Sequence, residues 1–198
     1  MSKVWLITGA SRGLGRAFTE EALKAGHCVL ATARNSKHLV DLASKFGKSV
    51  RTVSLDVTNE TQAKYAVDVA IQTFGRLDVL VNNAGYGNVS SVEDTSLADF
   101  RAQIETNLFG VIIMTKAVLP YFRERRAGHF IQISSIGGRV GPPGRGVRGS
   151  EVRCRRLFRI AVQRGRTARY KGHNRRTGRV SNRLCGLFHG TSRRPPGV

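Results

Sequence analysis

The sequence predicts an α/β protein built on a doubly wound parallel sheet that is incomplete after its fifth strand. Three observations predict it. Short apolar runs alternate with segments of helical periodicity between residues 4 and 133. A glycine-rich turn, Thr8-Gly9-Ala10-Ser11-Arg12-Gly13-Leu14-Gly15, joins the first run to the first periodic segment. Beyond residue 138 the alternation stops and the composition changes.

The elements follow in order. Val4–Thr8 is a short apolar run ending at Gly9, which reads as a buried strand. Leu14, Phe18 and Ala22 recur at four-residue spacing with Leu23 alongside, and Gly26 stops that helix. Cys28–Ala33 is the second strand, Lys37–Phe46 a helix, and Val50–Leu55 the third strand. Ala63, Val67, Ala70 and Phe74 form a helical stripe closed by Gly75. Val79–Val81 is a fourth strand bounded by Asp78 and Asn82, residues 98–126 read as helical with Pro120 near the end, and Phe130–Ile133 is a fifth strand. Strand and helix in alternation imply parallel strands covered on both faces, with right-handed crossovers.

Charge divides the chain into two unlike parts. The whole carries 33 Lys+Arg against 13 Asp+Glu, a net of +20. Residues 1–138 hold only +4 of this. Residues 139–198 hold 16 Arg, one Lys and a single acid, Glu151. Two regions are expected: a doubly wound, dinucleotide-binding region over 1–147, its limit set by the resemblance described below, and an Arg-rich, disordered tail over 148–198. Cys28, Cys154 and Cys185 are odd in number and lack Cys-x-x-Cys spacing, which argues against a disulfide framework and for a reducing, cytoplasmic setting. The strongest apolar stretch, Val111–Met114, is far short of a membrane span, and the opening Met-Ser-Lys-Val-Trp does not resemble a secretory leader. No metal site is expected, because His27, His38, His129, His173 and His189 show no ligand spacing.

In the glycine turn, Gly9, Gly13 and Gly15 would let the chain bend tightly and let a pyrophosphate approach main-chain N–H groups, including those of Ser11, Arg12 and Leu14. The start of the following helix would add a partial positive charge. The plainer reading is a turn that merely permits close helix–strand packing.

The spacing Gly-x-x-x-Gly-x-Gly resembles that of the short-chain dehydrogenase/reductase family, and further motifs of that family follow in order. Asp56-Val57 stands at the end of the third strand, Asn82-Asn83-Ala84-Gly85 closes the fourth, Asn107 lies in the long helix, and Ser135 follows the fifth strand. Taken singly, each has a local role as a cap or turn residue. The resemblance covers about residues 1–147 and implies a Rossmann-like fold and hydride transfer between a nicotinamide cofactor and an alcohol or carbonyl. It makes Asp56 and Val57 adenine contacts, Asn83, Ala84 and Gly85 cofactor contacts, and Ser135 and Asn107 catalytic. Tyr86-Gly87-Asn88 and Gly141-Pro142-Pro143 would line the substrate pocket. An intact member would be a homo-oligomer.

A ribose 2′-OH calls for an acid at the end of the second strand, a 2′-phosphate for Arg. By the resemblance the acidic position is Ala33, followed by Arg34, with Arg12 in the glycine turn. Two guanidinium groups can fork onto one phosphate, so NADP(H) is expected over NAD.

The family's Tyr and Lys should come next. Counting on from Ser135 places Arg148 at the Tyr position and Val152 at the Lys position, and neither can transfer the proton. A slip of reading frame accounts for this together with the change of composition. With permitted codons read one base out, Val147/Arg148 can encode Tyr and Glu151/Val152 can encode Lys at the family spacing. A chain lacking the last strands and their covering helix is expected to fold poorly and to be inactive as written. Two other readings stand beside this one: a remnant that still captures nucleotide, and a nucleic-acid binder working through the arginines between Arg153 and Arg183 with Phe158 and Tyr170 interleaved.

Overall fold

The computed structural model describes residues 1–134 apart from Val89 and Val92. Ser135, the Arg148 and Val152 positions and the Arg-rich tail lie outside the described residues.

Five strands form one parallel sheet: β1 (Val4–Ile7), β2 (Cys28–Ala33), β3 (Val50–Ser54), β4 (Val79–Asn82) and β5 (His129–Gln132). Their order is β3-β2-β1-β4-β5. The chain thus winds outward from β1 in one direction, returns, and winds outward in the other, as a doubly wound sheet must. The helices are α1 (Gly13–Lys24), α2 (Val40–Phe46), α3 (Glu60–Phe74), α4 (Leu97–Ile104) and α5 (Gly110–Glu124).

The strands bury both faces because their side chains alternate. Leu6, Leu30, Val53 and Leu80 point to a core shared with Ala63, Ala66, Val67 and Ala70 of α3 and Met114, Val118 and Phe122 of α5. Ile7, Val29, Ala31 and Val81 point the other way, onto Ala22 and Leu23 of α1 and Leu39 and Leu42 at α2. Phe130 of β5 meets Phe122 with ring centroids 5.1 Å apart. Among the described residues β5 has one hydrogen-bonded neighbour, β4.

The structure moves the ends of β1, β3 and β5 by one residue from the sequence reading and corrects it in four further places. The second helix opens as a 3-10 turn over Ser36–Leu39, capped by Asn35, and becomes α-helical only at Val40. Asn82 is the last residue of β4 rather than its boundary. Leu14 does not belong to the core stripe: it is 61 % exposed. The segment read as helical over 98–126 is α4 and α5 joined by a π-turn, Glu105–Phe109. Single π-turns inside helices are uncommon and recur at functional sites.

By length and composition the helix Leu97–Glu124 could cross a bilayer, with a mean hydropathy of 1.2. Its Met114, Val118 and Phe122 instead fill the core against α3.

At the edge of the sheet where the strands begin, Asp78 ties three elements together. Its carboxylate accepts the Val4 N–H at 2.8 Å and the Arg76 Nε at 2.8 Å, and faces Arg125 Nη1 at 3.5 Å. Burial opposes its ionisation and is the largest single influence. The hydrogen bonds from Arg76 and Val4 and the positive charges of Arg76 and Arg125 together outweigh it and hold the carboxyl below its ordinary range.

Candidate functional site

At the opposite edge, where the strands end, a cleft of about 1190 Å³ opens. It lies at the point where strand order reverses between β1 and β4, the place where open α/β sheets bind ligands.

One wall is the glycine turn. Gly9 has φ +69°, in the left-handed region, and a Cβ there would sit 2.9 Å from the Ala84 Cα. Gly15 is needed for close approach: a Cβ would fall 2.2 Å from the Gly9 carbonyl oxygen and 2.3 Å from Asn83 Nδ2. Ser11, Arg12, Gly13 and Leu14 line the cleft, and Gly15 packs behind them. The start of α1 has no side-chain cap and no acid in its first turn. By contrast, Asn59 Oδ1 caps α3 by accepting the Gln62 N–H at 3.0 Å, and Ser96 Oγ caps α4 by accepting the Asp99 N–H at 3.1 Å. The uncapped N–H groups and positive dipole end of α1 therefore suit an anion.

Thr8 organises the junction of β1 with β4. Its Oγ1 donates to the Val81 carbonyl at 3.2 Å and accepts the N–H groups of Asn83 and Ala84, both at 3.0 Å. The hydroxyl is thereby fully used, as its burial requires. Asn83 Nδ2 returns the contact, donating to the carbonyls of Thr8 at 2.9 Å and Gly9 at 3.2 Å. The side chain of Asn83 is thus turn chemistry that welds the glycine turn to the end of β4, while Asn83, Ala84 and Gly85 together line the cleft.

The end of β2 carries Ala33 and Arg34, and the end of β3 leads into Asp56 and Val57, all four lining the cleft. Ser54 Oγ donates to the Arg34 carbonyl at 2.7 Å and fixes its backbone. Asp56 Oδ1 accepts from the Thr58 N–H at 3.0 Å and the Thr58 hydroxyl at 2.8 Å, so one carboxylate oxygen holds the loop.

On the far side Asn107 stands in the π-turn. Its Oδ1 accepts the Tyr86 N–H at 3.0 Å, and its Nδ2 donates to the Tyr86 carbonyl at 2.6 Å. Ser134 lines the cleft at the end of the last described segment, next to Ser135. Thr8 and Gln103, a buried amide on α4, were not singled out from sequence. Thr8 opens the glycine turn, and Gln103 lies four residues before Asn107.

Residues 3–149 match the family model described as short chain dehydrogenase. The chain belongs to the short chain dehydrogenase family. It is 52 % identical over 145 residues to oxidoreductase BOA17 of Botryotinia fuckeliana, covering 73 % of this chain and 53 % of that protein. It is 42 % identical over 144 residues to a 3-ketodihydrosphingosine reductase of Bacteroides thetaiotaomicron, covering 73 % and 51 %. The chain spans about half the length of the curated relatives it matches. Among solved structures, a short-chain dehydrogenase from Streptomyces avermitilis superposes with a TM-score of 0.78 at 36 % identity, over 83 % of this chain and 61 % of that one. Two others carry cofactor. An alcohol dehydrogenase from Thermococcus sibiricus holds 5-hydroxy-NADP (TM-score 0.76, 29 % identity, 85 % and 74 % covered). A Burkholderia phymatum short chain dehydrogenase/reductase holds NAD (TM-score 0.74, 27 % identity, 81 % and 59 % covered). Solved structures similar to this chain thus include one with an NADP derivative and one with NAD.

Proposed function

We propose that residues 1–147 form the NADP(H)-binding part of a short chain dehydrogenase that acts on a small alcohol or carbonyl, and that the tail from 148 is read out of frame. The observation that carries the cofactor choice is the charge at the end of β2. Ala33 offers no carboxylate to a ribose hydroxyl, while Arg34 and Arg12, each carrying a guanidinium group, line the same cleft.

In this reading the uncapped start of α1 binds the pyrophosphate, Arg12 and Arg34 grip the 2′-phosphate, and Asp56 with Val57 border the adenine. The nicotinamide, when bound, supplies or accepts the hydride. Ser135 polarises the substrate oxygen, and Asn107 supports the proton relay. The relay then needs a group that titrates through a phenol. Arg148 and Val152 stand where that Tyr and its Lys belong, so the chain as written holds cofactor without turning it over. The match to the family model stops at residue 149, where the Arg-rich tail begins, which supports the frame-slip reading. Re-reading the encoding DNA across codons 140–160 tests it: an unbroken frame shared by related organisms would defeat it.

The cofactor reading is tested by titrating the chain with NADPH and NADH and following nicotinamide fluorescence. NADPH is expected to bind at least tenfold tighter. Replacing Arg34 with Ala removes one charged hydrogen-bonding partner and should weaken NADPH about 10–100-fold while leaving NADH nearly unchanged. NADH binding as tightly as NADPH would sink the assignment. In this reading the Arg-rich tail sticks to nucleic acid only non-specifically, so that binding should vanish as salt is raised.

A further inference from the structure

Gln103 of α4 is only 4 % exposed. A methionine of similar shape would fill the same space with no polar group to bury, so the amide needs a reason. Its Oε1 accepts the backbone N–H of Asn88 at 3.1 Å. One helical turn further on, Asn107 exchanges two hydrogen bonds with Tyr86. The segment leaving β4 is therefore fastened twice to the same helix, at Tyr86 and at Asn88. Tyr86 and Gly87 line the cleft, with Tyr86 left 38 % exposed.

Strand order gives this segment its place. Arg34 and Asp56 follow β2 and β3 on one side of the reversal between β1 and β4, and Tyr86–Asn88 follows β4 on the other. A dinucleotide lying across the reversal with its adenosine toward β2 and β3 lays its other half against Tyr86.

We propose that Gln103 is a positioning residue for the nicotinamide half of the cofactor, acting through the Asn88 N–H to hold the Tyr86–Asn88 segment as a preformed wall. This rests on the NADP(H) reading above. Preorganisation of this kind raises affinity by removing the cost of ordering a loop on binding. It acts on the half of the ligand that touches the loop and not on the other.

The test therefore compares two probes, NADPH and 2′,5′-ADP, which contains only the adenosine half with its 2′-phosphate. In Gln103→Met the acceptor is lost, and NADPH affinity should fall about tenfold, as for loss of one ordered hydrogen bond, while 2′,5′-ADP affinity stays within about a factor of two. Gln103→Glu keeps an oxygen acceptor and should recover most of the NADPH affinity. Amide hydrogen exchange supplies a readout that needs no ligand: the Asn88 N–H should exchange about tenfold faster in Gln103→Met, with the amides of β1 and β4 unchanged. Asn88→Pro deletes the donor instead and should reproduce the split between the two probes if Gln103→Met does not fold. The assignment is overturned if NADPH affinity is unchanged, if both probes weaken by the same factor, or if Asn88 exchange does not respond. If the unsubstituted chain binds neither probe, the NADP(H) reading itself falls and takes this assignment with it, even should Asn88 exchange respond.

Discussion

Gly15→Ala is expected to abolish NADPH binding and to lower the melting temperature by about 4–8 °C, the equivalent of about 2 kcal/mol in a domain of this size. The new methyl group would stand 2.2 Å from the Gly9 carbonyl oxygen and 2.3 Å from Asn83 Nδ2. Neither neighbour is the free end of a flexible side chain. The carbonyl is backbone, and Asn83 Nδ2 is held by the carbonyls of Thr8 and Gly9. The start of α1 must move away from β1, and the N–H groups it would present to a pyrophosphate move with it. Gly13→Ala is the informative comparison. Gly13 has φ +57° but nothing within 4 Å of a Cβ, so the substitution incurs only the backbone penalty of about 1–2 kcal/mol and leaves the packing of α1 intact. Thermal melts followed by circular dichroism, with NADPH titrations alongside, separate the two. Gly15→Ala that melts and binds like the parent would show that α1 does not sit where the structure puts it.

Asp78→Ala is expected to lower stability by about 2–3 kcal/mol, less than the loss on breaking a fully buried ion pair because Arg76 and Arg125 retain access to water. The substitution leaves the Val4 N–H without its acceptor and releases both arginines from the start of the sheet. Arg125 also donates to the Leu77 carbonyl at 3.0 Å, so it would remain near β4 while losing its charge partner. The pH dependence carries a definite sign. The Asp78 carboxyl ionises at lower pH in the folded chain than in the unfolded one. Its stabilisation is thus fully present above the ordinary carboxylate range and is lost as pH falls through and below it. The parent and Asp78→Ala should differ most near neutrality and converge in acid. Urea unfolding at neutral pH and near pH 3 measures this, and a difference that grows on acidification would contradict it.

Strand positions were legible because burial on both faces demands continuous apolar runs. Cys28–Ala33 is such a run, and its ends were read correctly. The cleft was legible for a different reason: its parts are short motifs fixed to strand ends, so order along the chain implies proximity in space. What escaped depends on geometry that no local pattern encodes. The π-turn at Glu105–Phe109 leaves the 3.6-residue periodicity almost intact on either side. Leu14 fits the apolar spacing of α1 yet lies in its first turn and lines the cleft, exposed among the described residues. Gln103 looks like any polar helix residue until the loop after β4 is seen to end on it. Thr8 reads as the end of an apolar run, although its hydroxyl makes three hydrogen bonds across β1 and β4.

The pairing of Trp5 with Val79 bears on how the chain is made. β1 is the middle strand, yet one of its two neighbours is not synthesised until more than seventy residues later. A ribosome adding ~5–20 residues per second leaves β1 with one side open for several seconds while β2 and β3 emerge. During that time the Val4 amide and the Thr8 hydroxyl have no partner except water. A nascent chain halted before Asp78 should be cleaved within β1 more readily than one halted well after Gln132, with β4 and β5 clear of the exit tunnel.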